Sequence, residues 1–539
     1  MTTAASPLQA LLAGLAEEKR LAGKVEDAIL LLDHLVALDP LNSLPISQLI
    51  ALLIGQNRLL PALEKILALK QLAAKPDEVL NLYVEPISAG VMKFKELAEG
   101  GRLEEAESFI TLLAKLMPDS PVVIPAAMQF HHQTEQHNKS VPYARTVLRM
   151  EPNHSEALLV LIDEARRKGD AAAETALRIA KMDHNTDSSA VHQAHNIYEL
   201  VNVMMCQTLS EADLDTIDRA QEILRAIPRP DPEQSKGDAW TRFYQAMVGA
   251  IRMAPLREPP APKSYPLPPL FAADGSPILF PELRERALRH QAEAVFLVAG
   301  DEGYVKRYAR LYVRSVLRNA DVSALVIVHV IGGQKRIKKI AQEIDVADDR
   351  FVLSCDDFDA SAVASRVYDA PSQPQTDKPI GHYQCARFRV ASLLLYGLQL
   401  PLFVTDIDLM LERGVADLLV THGDKDMVLN ENWAVVQFAS RLTANLLLLF
   451  PTDRSRRYIQ FLANYLDVSL EPMELPKFVD QIAMLVARHH VQRLYPDVRI
   501  AYFDVDADIN NCVFPYYMEH PFRFLSLYQK FDLTTLPAY

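Results

Sequence analysis

Pairs of aspartates separated by one residue recur along this chain, and one pair stands where an ion could be held. Thr405-Asp406-Ile407-Asp408 follows the apolar run Leu-Pro-Leu-Phe-Val and precedes Leu-Met-Leu. Two carboxylates at the end of a buried strand are costly unless something compensates them. On extended backbone, residues i and i+2 point the same way, so Asp406 and Asp408 are expected to converge on one ion. Hard carboxylate oxygens suit Mg²⁺ or Mn²⁺, and such ions bridge readily to a diphosphate. There the ion would act as a Lewis acid on a departing nucleoside diphosphate. The bland alternative is an Asp406 helix cap or a structural carboxylate pair.

The other pairs have weaker settings. Asp213 and Asp215 lie in a helical region and read as a helix start or surface pair. Asp424 and Asp426, in His-Gly-Asp-Lys-Asp, read as solvent-exposed. The run Asp504, Asp506, Asp508 imitates a calcium loop, but Ile509 replaces the turn glycine and Pro515 the bidentate glutamate.

Around Asp406 the pattern is that of an α/β domain. Ala294–Val298, Ala324–Val330, Phe351–Ser354 and Pro401–Val404 are short apolar runs, separated by amphipathic segments through Tyr308–Val316 and Arg387–Tyr396. That alternation predicts a largely parallel sheet, with ligands at the carboxyl ends of its strands. No Gly-x-Gly-x-x-Gly follows the first strand, and no phosphate-binding Gly-x4-Gly-Lys-Ser/Thr occurs. Dinucleotide and P-loop sites are therefore not expected.

The segment HYQCARFRVASLLLYGLQLPLFVTDIDLMLERGVADLL resembles the centre of GT-A-fold, nucleotide-sugar-dependent glycosyltransferases, in which an Arg-bearing helix precedes a strand ending in Asp-x-Asp. AVFLVAGDEGYVKRYARLYVRSVL is similar to that family's opening strand and loop. TANLLLLFPTDRSRRYIQFLANYL and KFVDQIAMLVA are similar to its later strand–helix pair and to the Asp-Gln that heads a helix. The resemblance implies a metal-dependent sugar transferase. Asp406 and Asp408 would bind Mn²⁺ or Mg²⁺ and the diphosphate. Ala299, Asp301 and Tyr304 would line the nucleotide site, with Arg387 and Arg389 stabilising the diphosphate or orienting Asp406. Asn445, Asp480 and Gln481 would face the sugars, and His520 would be the late third metal ligand. The pattern departs at Leu446 and Leu447, where the family has a small residue and glycine. His329 reads as a satisfied core histidine, His489 and His490 as solvent-facing, and Trp433 as a sugar-stacking or buried ring.

Residues 1–253 read as helical throughout. Gly23-Lys-Val-Glu-Asp-Ala28, Gly101-Arg-Leu-Glu-Glu-Ala106 and Val141-Pro-Tyr-Ala144 each lead into an apolar helix closed by Pro40, Pro118 or Pro152, and Gly169 opens a fourth segment. Pro118 and Pro152 are 34 residues apart, and this part resembles the tetratricopeptide (TPR) repeat family. Small residues at Ala28, Ala106 and Ala144 would let paired helices approach, and a solenoid of such pairs offers a groove for a peptide or protein, here a candidate acceptor. About a third of the residues from Pro255 to Pro281 are proline, so 254–283 reads as an extended linker and 284–539 as the transferase domain.

The net charge of −13 argues against general nucleic-acid binding. The acidic and basic residues Glu17–Arg20 interrupt the start early, and no apolar run approaches a membrane span, so a cytoplasmic setting is expected. Four scattered cysteines form no Cys-x-x-Cys pair. The readings left in play are a protein-directed sugar transferase, a binding scaffold with a degenerate sugar-nucleotide fold, and a nucleotidyltransferase or phosphatase. The last pair fits poorly, because neither a Gly-rich basic loop nor an early aspartate nucleophile is present.

Overall fold

The computed structural model describes residues 6–184, 190–226, 260–359, 366–368, 380–411, 413–431, 438, 441–470, 474–476, 478–504 and 513–514. By packing, the chain forms two compact units, Met1–Thr186 and Asp187–Tyr539. The fold classes expected from the sequence are the ones observed: helical repeats in front, a mixed α/β layer behind.

In the first unit α1 (Pro7–Leu21) pairs with α2 (Val25–Leu38), and α3 (Ser43–Gly55) with α4 (Leu59–Leu72). After the short α5 (Pro76–Leu82), α6 (Val84–Glu99) pairs with α7 (Leu103–Leu116), α8 (Val123–Gln133) with α9 (His137–Met150), and α10 (Ser155–Lys168) with α11 (Ala171–His184). Each hairpin turns on one left-handed residue: Gly23, Asn57, Gly101, Glu135 or Gly169. These positions are 34 residues apart except between Asn57 and Gly101, where α5 is inserted and the step is 44. The glycine segments in the sequence therefore mark the middle of each repeat rather than its start. Five residues past each turn stand Ala28, Ala62, Ala106, Ser140 and Glu174, all buried. Ser140, not Ala144, is the true counterpart of Ala28 and Ala106, although Ala144 is also fully buried. A small side chain there brings the paired helices together; at Glu174 the carboxylate is instead held by Arg166 and Arg178.

The second unit begins with α12 (Ala190–Met205) and α13 (Glu211–Ala226), whose described hydrogen bonds run to the α/β layer. The proline-rich stretch is likewise held to that layer from residue 260 onward. The Tyr265 hydroxyl donates to Asp467 at 2.6 Å, and β1 (Leu270–Phe271) and β2 (Pro277–Ile278) join the sheet edge.

The main sheet has nine strands in the order β12-β9-β10-β7-β3-β4-β5-β1-β2. Its centre is β3 (Ala294–Asp301), β4 (Ala324–Ile331), β5 (Phe351–Cys355) and β7 (Leu402–Thr405), all parallel. β9 (Met427–Glu431) and β12 (Ile500–Tyr502) run the same way, and β10 (Leu442–Leu449) runs against them. Two small ladders pair β6 (Arg366–Tyr368) with β11 (Glu474–Pro476), and β8 (Met410–Leu411) with β13 (Val513–Phe514). The layer's helices are α14 (Phe280–Arg289), α15 (Glu302–Asn319), α16 (Ile337–Ile344), α17 (Ile380–Leu398), α18 (Ala416–Thr421), α19 (Asp453–Ser469) and α20 (Val479–Leu494). Phe296, Val298, Val326 and Phe403 pack with α15 and α16 in one core, while α17 lies against β3 and β7 and packs with α19 and α20.

Two expectations are overturned. His489 and His490 are buried, not solvent-facing: the His489 ring bonds the Met205 carbonyl at 2.9 Å, and His490 stacks on Phe461 with centroids 3.9 Å apart. Burial holds both neutral, with pKa values lowered to about 3 and about 4. Asp426 is fully buried, accepting from the Arg499 amide at 2.8 Å; only its neighbour Asp424 is exposed. His329 is the satisfied core residue expected, bonded to Ser354 and Asp356.

The turn geometry generates a test. Gly101→Ala places a Cβ on a left-handed residue and should cost about 1 kcal/mol, whereas Asn57→Gly should be neutral or stabilising. Urea unfolding of the two variants measures the difference.

Candidate active site

The parallel strands deliver their carboxyl ends to one edge of the sheet. Asp301 ends β3, Asp406 follows β7, and Glu431 ends β9. Because β10 runs the other way, Asn445 arrives beside Asp406 from the opposite direction, and its carbonyl accepts the Asp406 amide at 3.2 Å. A bulge between Thr443 and Leu447 sets Asn445 off the regular ladder, and its side chain accepts from Asn430 at 2.7 Å. Leu446 and Leu447, the departures from the family pattern, are core residues of β10.

The Asp406 pair does not lie on extended strand. β7 ends at Thr405 and the chain turns at Ile407 and Asp408, with Ile407 buried as the anchor. Gly300 permits the first turn of α15 to approach β3: a Cβ there would stand 3.2 Å from Tyr304 Cβ, while Ile407 Cγ2, at 3.7 Å, would be in ordinary contact. Behind the turn, the Tyr312 hydroxyl and Thr405 Oγ1 are bonded at 2.8 Å.

Arg387, buried in α17, is the centre of the charge arrangement. It is ion-paired with Asp406 and, at 3.3 Å, with Asp480 at the head of α20, and it donates to the Thr405 carbonyl. Burial opposes its charge, but Asp406 and Asp480 together raise its pKa. Burial pushes the Asp480 carboxyl up to about 6 despite Arg387. Asp408 is pushed up to about 6 as well, first by burial and then by Asp406, and among the described residues it has no ion pair. Among the described residues three carboxylates thus share one guanidinium, an excess of two negative charges when all are ionised.

The remaining expected residues divide between this cluster and elsewhere. Asp301 caps α15, accepting from the Tyr304 amide at 2.8 Å. Tyr304 is half-exposed; burial raises its pKa, with the field of Asp408 next. Ala299 is half-buried on β3, in register with His329. Gln481 is half-buried, and its amide donates to the Asp480 carboxylate at 2.9 Å. Arg389 is not brought to the cluster. Two residues on from Arg387 along α17, it pairs with Asp467 of α19 beside Tyr265. His520 and Trp433 lie outside the described residues.

Asp406 and Asp408 fit a divalent cation by chemistry, being hard oxygen donors with excess negative charge. Among the described residues no group of three or more His, Cys, Asp or Glu side chains converges on one point. Further ligands would have to come from substrate oxygens, water or residues outside that set. Sequence reading missed the Arg387–Asp480 pair, which joins residues 93 positions apart. It also missed the Glu431 corner, where Arg441 and Arg488 meet one carboxylate oxygen at 2.7 and 3.4 Å. The only sequence signal for that corner is a Glu closing an apolar strand.

No family model matches the chain, and no curated protein matches its sequence. Solved structures similar to it include a tetratricopeptide repeat protein from Parabacteroides merdae, at 12% identity over 46% of this chain and 87% of that one, with a TM-score of 0.21. Mouse xyloside xylosyltransferase 1 matches at 10% identity over 39% and 85%, with a TM-score of 0.24. The bifunctional glycosyltransferase WbbM matches at 10% identity over 65% and 68%, with a TM-score of 0.26. Among the described residues, no helix is long and apolar enough to cross a membrane.

Two outcomes follow from the charge arrangement. The folded pKa of Asp408, about 6, lies above its ordinary 3.8. Ionising it therefore weakens the fold as pH rises through 6, and stability returns as pH falls toward 4. In EDTA, Asp408→Asn should raise the melting temperature at pH 7.5, with the gain fading by pH 4. Arg387→Met leaves Asp406 and Asp480 without their cation and should cost about 3–5 kcal/mol, read from the urea midpoint.

Proposed function

We propose that the α/β unit transfers a sugar from a nucleotide-sugar donor to an acceptor, assisted by Mn²⁺ or Mg²⁺. The observation that carries this reading is the excess of carboxylate over cation among the described residues at the carboxyl edge, where Asp406 and Asp480 share Arg387 and Asp408 is buried close by. A divalent cation held by Asp406 and Asp408 would supply Lewis-acid neutralisation of the diphosphate leaving group.

The chain's own groups have distinct tasks in this reading. Arg387 fixes the Asp406 carboxylate through their ion pair. Asp480, anchored by the same guanidinium and by the Gln481 amide, offers an acceptor to a donor-sugar hydroxyl. Asn445 and Gln481 would bond sugar hydroxyls in this reading. Tyr304, half-exposed on α15 next to Asp301, offers a ring face to the nucleotide base. His520 remains the proposed third metal ligand. Arg389, committed to Asp467, has a structural task instead. The helical repeats would recruit a protein acceptor, a step that rests on their architecture.

A second reading has one observation in its favour: Asp406 is already ion-paired with Arg387, as in a sugar-nucleotide fold that has become a scaffold. Thermal unfolding with a panel of nucleoside diphosphates, in Mn²⁺ and in EDTA, separates the two. A ligand at 100 times its dissociation constant should add about 2.7 kcal/mol. The transferase reading expects a shift with one nucleotide that requires Mn²⁺ and is lost in Asp406→Ala and Asp408→Ala. No shift with any nucleotide favours the scaffold.

A further inference from the structure

Helix α12 ends 50 residues before Pro255, where the proline-rich stretch begins, yet it is bonded to Phe438, between β9 and β10, and to α20. Its contacts are specific and buried. The Asn202 side chain, buried in the last turn, accepts a hydrogen bond from the Phe438 amide at 2.5 Å. Tyr198, one turn earlier, packs its ring on Phe438, with centroids 5.8 Å apart. At the end of α12 the Met205 carbonyl is met by His489 Nε2, which must carry the proton because a carbonyl only accepts.

These contacts converge on the corner between β9 and β10. The Phe438 carbonyl accepts the Arg441 amide at 3.3 Å, and Arg441 Nε donates to Glu431 at 2.7 Å. Glu431 is also paired with Arg488 of α20, the helix headed by Asp480, and Arg488 reaches the Tyr502 hydroxyl of β12. The next residue back along β9 is Asn430, which bonds Asn445, whose carbonyl holds the Asp406 amide. A continuous set of bonds therefore runs from Asn202 through Phe438, Arg441, Glu431, Asn430 and Asn445 to Asp406.

We infer that Asn202 is a positioning residue, holding the Phe438 amide and through it the Arg441–Glu431 pair where β9 ends and β10 begins. The inference rests on the function proposed above insofar as that corner places Asn445 and Asp406 for the donor. A buried amide is expensive unless bonded, and this one is bonded to Phe438. The acceptor oxygen is what matters. Asn202→Asp keeps an acceptor oxygen at the same position, and Asn202→Leu removes it at similar size.

The test uses the full chain as wild type, Asn202→Asp and Asn202→Leu. Amide hydrogen exchange is followed over residues 427–431 and 442–449, together with the affinity for Mn²⁺ plus uridine, guanosine, adenosine or cytidine diphosphate. Asn202→Leu should speed exchange at this corner about tenfold while the helical repeats exchange as in wild type. It should also weaken the best nucleotide about tenfold, and Asn202→Asp should restore both. Unchanged exchange at the corner overturns the inference. So does faster exchange with unchanged nucleotide affinity, which would make the contact merely structural, and so does Asn202→Asp behaving like Asn202→Leu. If Asn202→Leu does not fold, Tyr198→Leu, which loosens Phe438 while keeping the Asn202 oxygen, takes its place with the same expectations. Wild type that binds no nucleotide defeats the transferase reading, and the exchange results then decide alone whether Asn202 fixes the corner.

Discussion

A guanidinium buried between two aspartates is the constraint on which the second unit turns. Arg387 has left water entirely, and only the carboxylates of Asp406 and Asp480 make that tolerable. Those carboxylates come from the end of β7 and the head of α20, so the pairing ties three distant pieces of chain to one point. Among the described residues Asp408 is left without such a partner. A buried carboxylate held beside a second one is a poor way to stabilise a fold and a good way to prepare for a cation.

The architecture follows from bringing that point together. Parallel β3, β4, β5 and β7 place their ends on one edge, Gly300 lets Tyr304 at the head of α15 approach β3, and the reversed β10 returns Asn445 to the side of Asp406. On the far side of Asn445 the Glu431 corner is closed by α12, a helix from before the proline-rich stretch. The site is thus framed by segments from residue 190 to residue 502, although its charged centre involves only a few side chains.

The parts legible in the sequence were those with local causes. Apolar runs bounded by turns gave the four central strands within a few residues, and the Asp-x-Asp after Leu-Phe-Val marked the candidate site. The repeat period was visible between Pro118 and Pro152 and three of the turns through Gly23, Gly101 and Gly169, but Asn57 and Glu135 make the same left-handed turn without being glycine, so two of the five hairpins left no such mark. The equivalence of Ser140 with Ala28 was hidden for the same reason. Arg387 and Arg389 looked alike on paper; the helix turns them to different neighbours, one to Asp406 and the other to Asp467. His489 and His490 were misread because a polar pair near the end of a helix resembles a solvent face until another helix covers it. Packing between distant segments supplies that information, and local pattern does not carry it.

The central claim is that the carboxyl edge releases a nucleoside diphosphate from a nucleotide sugar. The direct measurement is release of nucleoside diphosphate when the full chain is incubated with Mn²⁺ and each of a set of uridine-, guanosine-, adenosine- and cytidine-diphosphate sugars, beside Asp406→Asn. The account predicts turnover of one donor class that stops in EDTA and in Asp406→Asn. No release from any donor, by a chain that still binds a nucleoside diphosphate with Mn²⁺, would contradict catalysis and leave a sugar-nucleotide-binding scaffold.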